Sequence, residues 1–310
     1  MAKYRILSID GGGIRGIIPA TILKRLNETP GLVNFLDRTN LVAGTSTGGL
    51  LALGIAHGLK PEVMQNVYIK EGEKIFDDSW IDDVKDLGKL AGADYEIENL
   101  KKVLKGIFKE TKLKDLKKKV LVTAFDLDNE AKEKNARCWK PKIFHNYEGE
   151  GWDGEEYAYK VGLYTSAAPT YFPAVDGYID GGVFATNPSM CALSQTQDLR
   201  FLTSPPKLDE IVLLSIGTGV SLTYIEGKNL DWGYAQWLKP LISLMMDGVN
   251  GIADYECKQI LRNNYHRLSP VFPSDVTIPM DGVKKIPYML EFANKLDLSP
   301  VTNWLLDKWN

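Results

Sequence analysis

Two glycine-rich turns, each placed directly after a short apolar run, constrain this chain more than any other feature. The first run, Tyr4-Arg5-Ile6-Leu7-Ser8-Ile9, ends at Asp10 and the glycines Gly11, Gly12 and Gly13. The second, Leu41-Val42-Ala43, leads into Gly44-Thr45-Ser46-Thr47-Gly48-Gly49. Both runs are too short and too apolar for a half-exposed strand, so they read as buried strands followed by tight loops. A helical stripe follows each turn. Apolar residues fall at 17, 18, 22, 23 and 26 after the first, and Leu50 to His57 is apolar nearly all round after the second. Strand, tight turn and helix in that order make the repeating unit of a parallel sheet covered on both faces.

The rest of the chain continues the alternation. Lys119–Phe125 and Ile211–Ile216 read as strands, and Pro61 suits the first turn of a helix. Helical stretches are expected near 96–108, 155–166, 188–200, 233–262 and 283–309. There is no internal repeat and no long linker. The expectation is a three-layer α/β/α fold with a largely parallel central sheet. It forms one domain over 1–310, with a helical C-terminal section from about residue 220.

Composition removes several functional classes. The net charge is −3, which argues against a nucleic-acid partner, because phosphate attraction needs positive charge. No run of about 18 apolar residues occurs, so no membrane-spanning helix is expected. Met1-Ala2-Lys3-Tyr4 enters a strand directly, with no apolar core of a signal peptide. Cys138, Cys191 and Cys257 are scattered and odd in number, which predicts neither a disulfide framework nor a thiolate metal site. His57, His145 and His266 have no ligand spacing. The expectation is a cytoplasmic protein with no metal and no cofactor.

The chemistry lies in the turns. Gly44-Thr45-Ser46-Thr47-Gly48 fits the nucleophile elbow, in which a sharp strand-to-helix turn exposes a serine hydroxyl and the helix N-terminus faces developing negative charge. Gly11-Gly12-Gly13-Ile14-Arg15-Gly16 satisfies the string of a dinucleotide-binding loop. That reading needs an acidic residue at the end of the second strand, where this chain has the serine turn, while Asp37 precedes the strand. The same glycines suit an oxyanion hole, since backbone N–H groups reach an intermediate with no Cβ in the way. Arg15 would brace that loop or hold a phosphate. The serine also needs a base. Asp180 followed by His266 has the chain order of a Ser–Asp–His triad. Alternatively Asp180, in Asp180-Gly181-Gly182, acts on the serine directly. Three functions therefore compete: a dyad hydrolase, a soluble carboxylesterase with a triad, and a nucleotide-binding module in which the serine turn is structural.

Taken together, Asp10-Gly11-Gly12-Gly13-Ile14-Arg15-Gly16, Gly44-Thr45-Ser46-Thr47-Gly48-Gly49 and Asp180-Gly181-Gly182 resemble the motifs of patatin-like phospholipases. Thr165-Ser166-Ala167-Ala168-Pro169-Thr170-Tyr171-Phe172-Pro173, Asn187-Pro188 and Ser215-Ile216-Gly217-Thr218-Gly219 extend the likeness. The resemblance implies a calcium-independent lipid acyl hydrolase with a Ser–Asp dyad. Ser46 is then the nucleophile and Asp180 the base. Gly11, Gly12 and Gly13 supply oxyanion N–H groups, with Arg15 in support. The substrates it implies are membrane phospholipids, lysophospholipids or galactolipids, with peripheral membrane contact.

Two stretches offer routes to lipid. Trp232, Trp237, Leu238, Leu241, Ile242, Leu244, Met245, Met246 and Val249 are apolar at helical spacing. They read either as a core-packed helix or as an acyl channel or lid. Lys101–Lys119 carries nine lysines against Glu110 and Asp115, either a solvated face or a surface for anionic lipid.

Overall fold

The structure, a computed structural model, describes residues 3–75 and 95–309. Met1, Ala2 and Asn310, and the side chains of Ala235, Leu238, Lys239 and Ile242, lie outside the described residues. In chain order the elements are β1 (Tyr4–Ile9), α1 (Ile17–Glu28), β2 (Leu41–Thr45), α2 (Thr47–His57), α3 (Pro61–Ile75), α4 (Ile97–Phe108) and β3 (Lys119–Asp126). These are followed by β4 (Lys140–His145), α5 (Ala158–Ser166), β5 (Tyr178–Asp180), α6 (Gly182–Ala185), α7 (Ser189–Gln195) and β6 (Ile211–Ile216). The chain closes with α8 (Tyr234–Leu261), β7 (Tyr265–Leu268), α9 (Ile286–Lys295) and α10 (Ser299–Lys308).

The sheet runs β4-β3-β2-β1-β6-β7, with β5 also on β3. Neighbours from β3 through β2, β1 and β6 to β7 are parallel, whereas β4 and β5 pair antiparallel with β3. Period-two alternation sorts the strand residues between two cores. Leu7, Ile9, Val42, Val122 and Leu214 face a cluster filled by α1 to α5, α9 and α10. Ile6, Leu41, Ala43, Leu121 and Leu213 face a second cluster that contains Ala192 and Leu193 of α7 and Cys257 and Leu261 of α8. This is the expected three-layer arrangement with a mostly parallel sheet. The C-terminal section belongs to the core. Trp309 is fully buried, its Nε1–H donates to Phe35 O at 3.0 Å, and its own carbonyl accepts from Arg5 Nε at 2.5 Å.

Several boundaries differ from expectation. The second helix starts at Thr47, directly after the serine, and the helix expected over 188–200 is the shorter α7. Strand β4 was not anticipated, because Lys-Pro-Lys at 140–142 conceals it. Proline is tolerated there because β4 is an edge strand.

Candidate active site

Ser46 occupies the single residue between β2 and α2, with φ 54° and ψ −128°. A non-glycine residue in that region costs on the order of 1–3 kcal/mol, so the surroundings must enforce it. Its N–H donates to Thr165 Oγ1 at 2.7 Å. Thr45 Oγ1, one residue earlier, shares a hydrogen bond with Thr123 Oγ1 at 2.6 Å and donates to Ala185 O at 2.5 Å. Gly48 lets the first turn of α2 lie against β1, since a Cβ there would stand 2.1 Å from Ile9 O. The strain is thus held from three elements at the point where the sequence motif puts the hydroxyl.

Asp180 ends the short β5, in register with Ala124 of β3, and its N–H donates to Ala167 O at 2.9 Å. Its carboxylate is buried. It accepts the Gly182 N–H at 2.7 Å. Burial pushes its pKa up to about 6, against the lowering effect of the nearby Ser46 side chain and the Gly182 N–H. The structure therefore brings together Ser46 and Asp180, which are 134 positions apart in the chain. No histidine lines the cavity at Ser46. His266 lies on β7 against the Trp304 ring at 5.3 Å, His57 against Phe108 at 5.6 Å, and His145 against Phe201 at 4.5 Å.

The glycine loop is anchored at its root and flanks. Asp10 is buried and accepts two hydrogen bonds from the Arg267 guanidinium, and Asn250 Nδ2 of α8 donates to it at 3.2 Å. Burial works against the Arg267 charge, but Asp10 together with Tyr265 and Asp254 holds the guanidinium above its usual range, while burial keeps the Asp10 pKa raised despite that guanidinium. Arg267 also donates to Ser215 Oγ at 2.7 Å. The Gly11 N–H is committed to Thr186 O at 2.9 Å and the Ile14 N–H to Met280 O at 2.7 Å. Between them, the Gly12 and Gly13 N–H groups have no backbone acceptor among the described residues. Gly13 has φ 58°, and a Cβ would strike Met280 O at 2.2 Å. Arg15 points back into the loop, with Nε on Gly12 O and Nη1 on Gly219 O, both at 3.3 Å.

An apolar cavity opens at Ser46, with about 960 Å³ of empty space counting its open mouth. Leu50, Tyr68, Leu100, Val103 and Phe108 of α2, α3 and α4 form much of its wall. The helix around Trp237 and Met245, read either as core-packed or as an acyl channel or lid, adds Cys257 and Leu261 of its C-terminal half to the second core cluster. Leu241, Leu244 and Met245 are exposed, and none of them borders the cavity. Sequence reasoning missed the α4 wall, although the apolar spacing of Leu100, Val103, Leu104, Ile107 and Phe108 carries the signal. It also missed Ser166, whose buried hydroxyl borders the cavity with no hydrogen-bond partner. The lysines of 101–119 do not form one free face. Lys101 pairs with Glu98, Lys112 and Lys114 pair with Glu155, and Lys118 and Lys119 donate to backbone carbonyls. Among the described residues no cluster of three His, Cys, Asp or Glu could hold a metal ion, and no helix is long and apolar enough to cross a membrane.

Comparison with known proteins gives the family. The chain is 29% identical to protein teg of Priestia megaterium over the full length of both chains. It is 31% identical to a cGAMP-activated phospholipase of Pseudomonas aeruginosa, covering 86% of this chain and 78% of that protein. Among solved structures, the ExoU–SpcU complex of Pseudomonas aeruginosa aligns at 12% identity with a TM-score of 0.46, over 99% of this chain and 52% of that one. The sequence profile of the patatin-like phospholipases matches residues 7–193, which span β1, the serine turn, Asp180 and α7. This chain belongs to the patatin-like phospholipase family.

Proposed function

We propose that the chain is a lipid acyl hydrolase of the phospholipase A or lysophospholipase type, working through a Ser46–Asp180 dyad on acyl esters of membrane glycerolipids. The observation that carries this reading is a strained, half-buried turn serine that borders an apolar cavity and stands beside a buried carboxylate. Asp180 takes the hydroxyl proton as Ser46 Oγ attacks the acyl carbonyl. The oxyanion forms beside the Gly12 and Gly13 N–H groups and the N-terminus of α2, while Gly11 and Arg15 hold the loop in shape. The lysolipid or glycerol alcohol leaves with the proton from Asp180. Water, deprotonated by the same carboxylate, then releases the fatty acid and restores Ser46. The apolar cavity takes the acyl chain, and among the described residues no charged side chain lines it. The His266 triad loses support, because that ring packs on Trp304.

The test is hydrolysis of a diacyl phospholipid in mixed micelles, with mass-spectrometric identification of the products. The reading expects free fatty acid and lysolipid from the wild type, and neither from Ser46→Ala or Asp180→Asn. A His266→Asn variant that is inactive beside a fully active Asp180→Asn would overturn it.

A further inference from the structure

The apolar cavity at Ser46 is a slot between three helices that share their ends. Ser46, Leu50 and Gly54 recur every four residues and all border it, so one face of α2 runs along its length. Helix α3 returns antiparallel, with Tyr68 hydrogen-bonded to Thr47 at the serine end and Met64 against Gly54 at the other. Helix α4 runs in the direction of α2. Asn99 Nδ2, near its start, donates to Lys74 O at 2.9 Å, and the Phe108 ring at its end stands 5.6 Å from His57 in the last turn of α2. From Ser46 to Gly54 the slot spans eight residues, about 12 Å at about 1.5 Å per residue.

The far end is built around a missing side chain. Gly54 lies inside α2, where glycine weakens a helix, so the position calls for a packing reason. Helix α3 supplies it. A Cβ at Gly54 would stand 2.8 Å from Met64 Sδ and 3.5 Å from Leu59 Cδ1. Gly54, Leu59, Met64, Ile107 and Phe108 all border the cavity at this end. Met64 and Phe108 are buried, whereas Leu59 and Ile107 are half-buried and reach the surface. A chain in the slot is therefore enclosed as far as Gly54. Past that point it runs between side chains that already face water.

We propose that Gly54, with Met64 behind it, sets the length of acyl chain that the slot encloses. The proposal rests on the acyl hydrolase reading, and its test separates the two. An extended alkyl chain advances about 1.25 Å per carbon, from a C–C bond of about 1.5 Å at the tetrahedral angle. The slot then encloses about ten carbons, counted from the carbonyl held at Ser46. Each enclosed methylene strengthens binding roughly fourfold, and a carbon beyond Gly54 adds little. The substrate class is therefore esters whose acyl chains have about ten carbons or more, with no discrimination among the longer ones.

The experiment measures kcat/KM on p-nitrophenyl esters from butyrate to myristate, and calorimetric binding of the matching methyl esters to Ser46→Ala. Wild-type kcat/KM should climb with chain length to about the decanoate and stay level from there to the myristate. Methyl-ester affinity should break at the same length. Gly54→Leu fills the far end and should bring the break down to about the hexanoate, lowering the decanoate-to-butyrate ratio at least tenfold. Met64→Ala removes three heavy atoms from the far end and should move the break out to about the dodecanoate. If Gly54→Leu does not fold, Met64→Ala decides alone. A wild-type profile that climbs evenly to the myristate or peaks well below the decanoate overturns the proposal, as does a break that neither variant moves. A wild type that cleaves no ester, beside methyl-ester binding that still breaks at the decanoate, would defeat the hydrolase reading and leave the slot length standing.

Discussion

Replacing Asp180 with asparagine removes the general base and also removes a cost that the folded protein bears. The carboxyl group is buried, and its pKa is raised from 3.8 to about 6. Because the folded state binds that proton more tightly than the unfolded chain, ionisation opposes folding. The penalty is absent below pH 3.8, where both states are protonated, and grows as pH rises to 6. Above that it is constant. A difference of about two units, at about 1.36 kcal/mol each, gives a full penalty of about 3 kcal/mol at pH 8. The same linkage leaves about 1 kcal/mol at pH 4.5. Asparagine keeps the shape of the neutral acid, and its carbonyl can still accept the Gly182 N–H that Asp180 accepts at 2.7 Å. Asp180→Asn should therefore be inactive yet more stable than wild type by about 3 kcal/mol at pH 8, with the gap closing toward about 1 kcal/mol at pH 4.5. Urea unfolding followed by circular dichroism at both pH values measures it. A variant that is no more stable at pH 8, or a gap that does not narrow on acidification, would refute the claim that Asp180 is held ionised at a cost in stability.

Other consequences follow from the same site. The rate on a soluble ester should fall about tenfold per unit as pH drops below about 6, where Asp180 takes up its proton. A pH-rate profile flat from pH 5 to 8 would contradict this. Val103→Trp fills the cavity wall contributed by α4. It should cut turnover of long-chain lipid at least tenfold while sparing a butyrate ester, as paired assays would show. Arg267→Met strands the buried Asp10 carboxylate and should cost on the order of 3–5 kcal/mol in denaturant unfolding. Unchanged stability would mean that the pair does not hold the loop.

The parallel core of the fold was legible because its signals are local. A short apolar run with a glycine turn and a helical stripe after it fixes a strand, its direction and a crossover. Ser46 was legible for the same reason, since its strained turn needs glycines close by at Gly44 and Gly48. The partner that faces it was less so. Asp180 sits on a three-residue strand that no alternation can reveal, and as a residue string Asp180-Gly181-Gly182 is a weak signal that the family likeness strengthened. Arg267 could not be anticipated, because its pairing with Asp10 spans 257 positions and depends on β7 joining the sheet beside β6. Helix α8 was ambiguous for a physical reason. Apolar spacing tells which residues avoid water in some setting, and it does not say whether the cover is the protein's own core or something outside it.

The central claim is that Ser46 is a nucleophile activated by Asp180. Reaction with a fluorophosphonate, followed by intact-mass and peptide mass spectrometry, tests it most directly. One phosphonyl group per chain is expected, on Ser46. Ser46→Ala should take no label, Asp180→Asn should react at least a hundredfold more slowly, and His266→Asn at the wild-type rate. A phosphonyl group on any other residue, or undiminished labelling of Asp180→Asn, would contradict it.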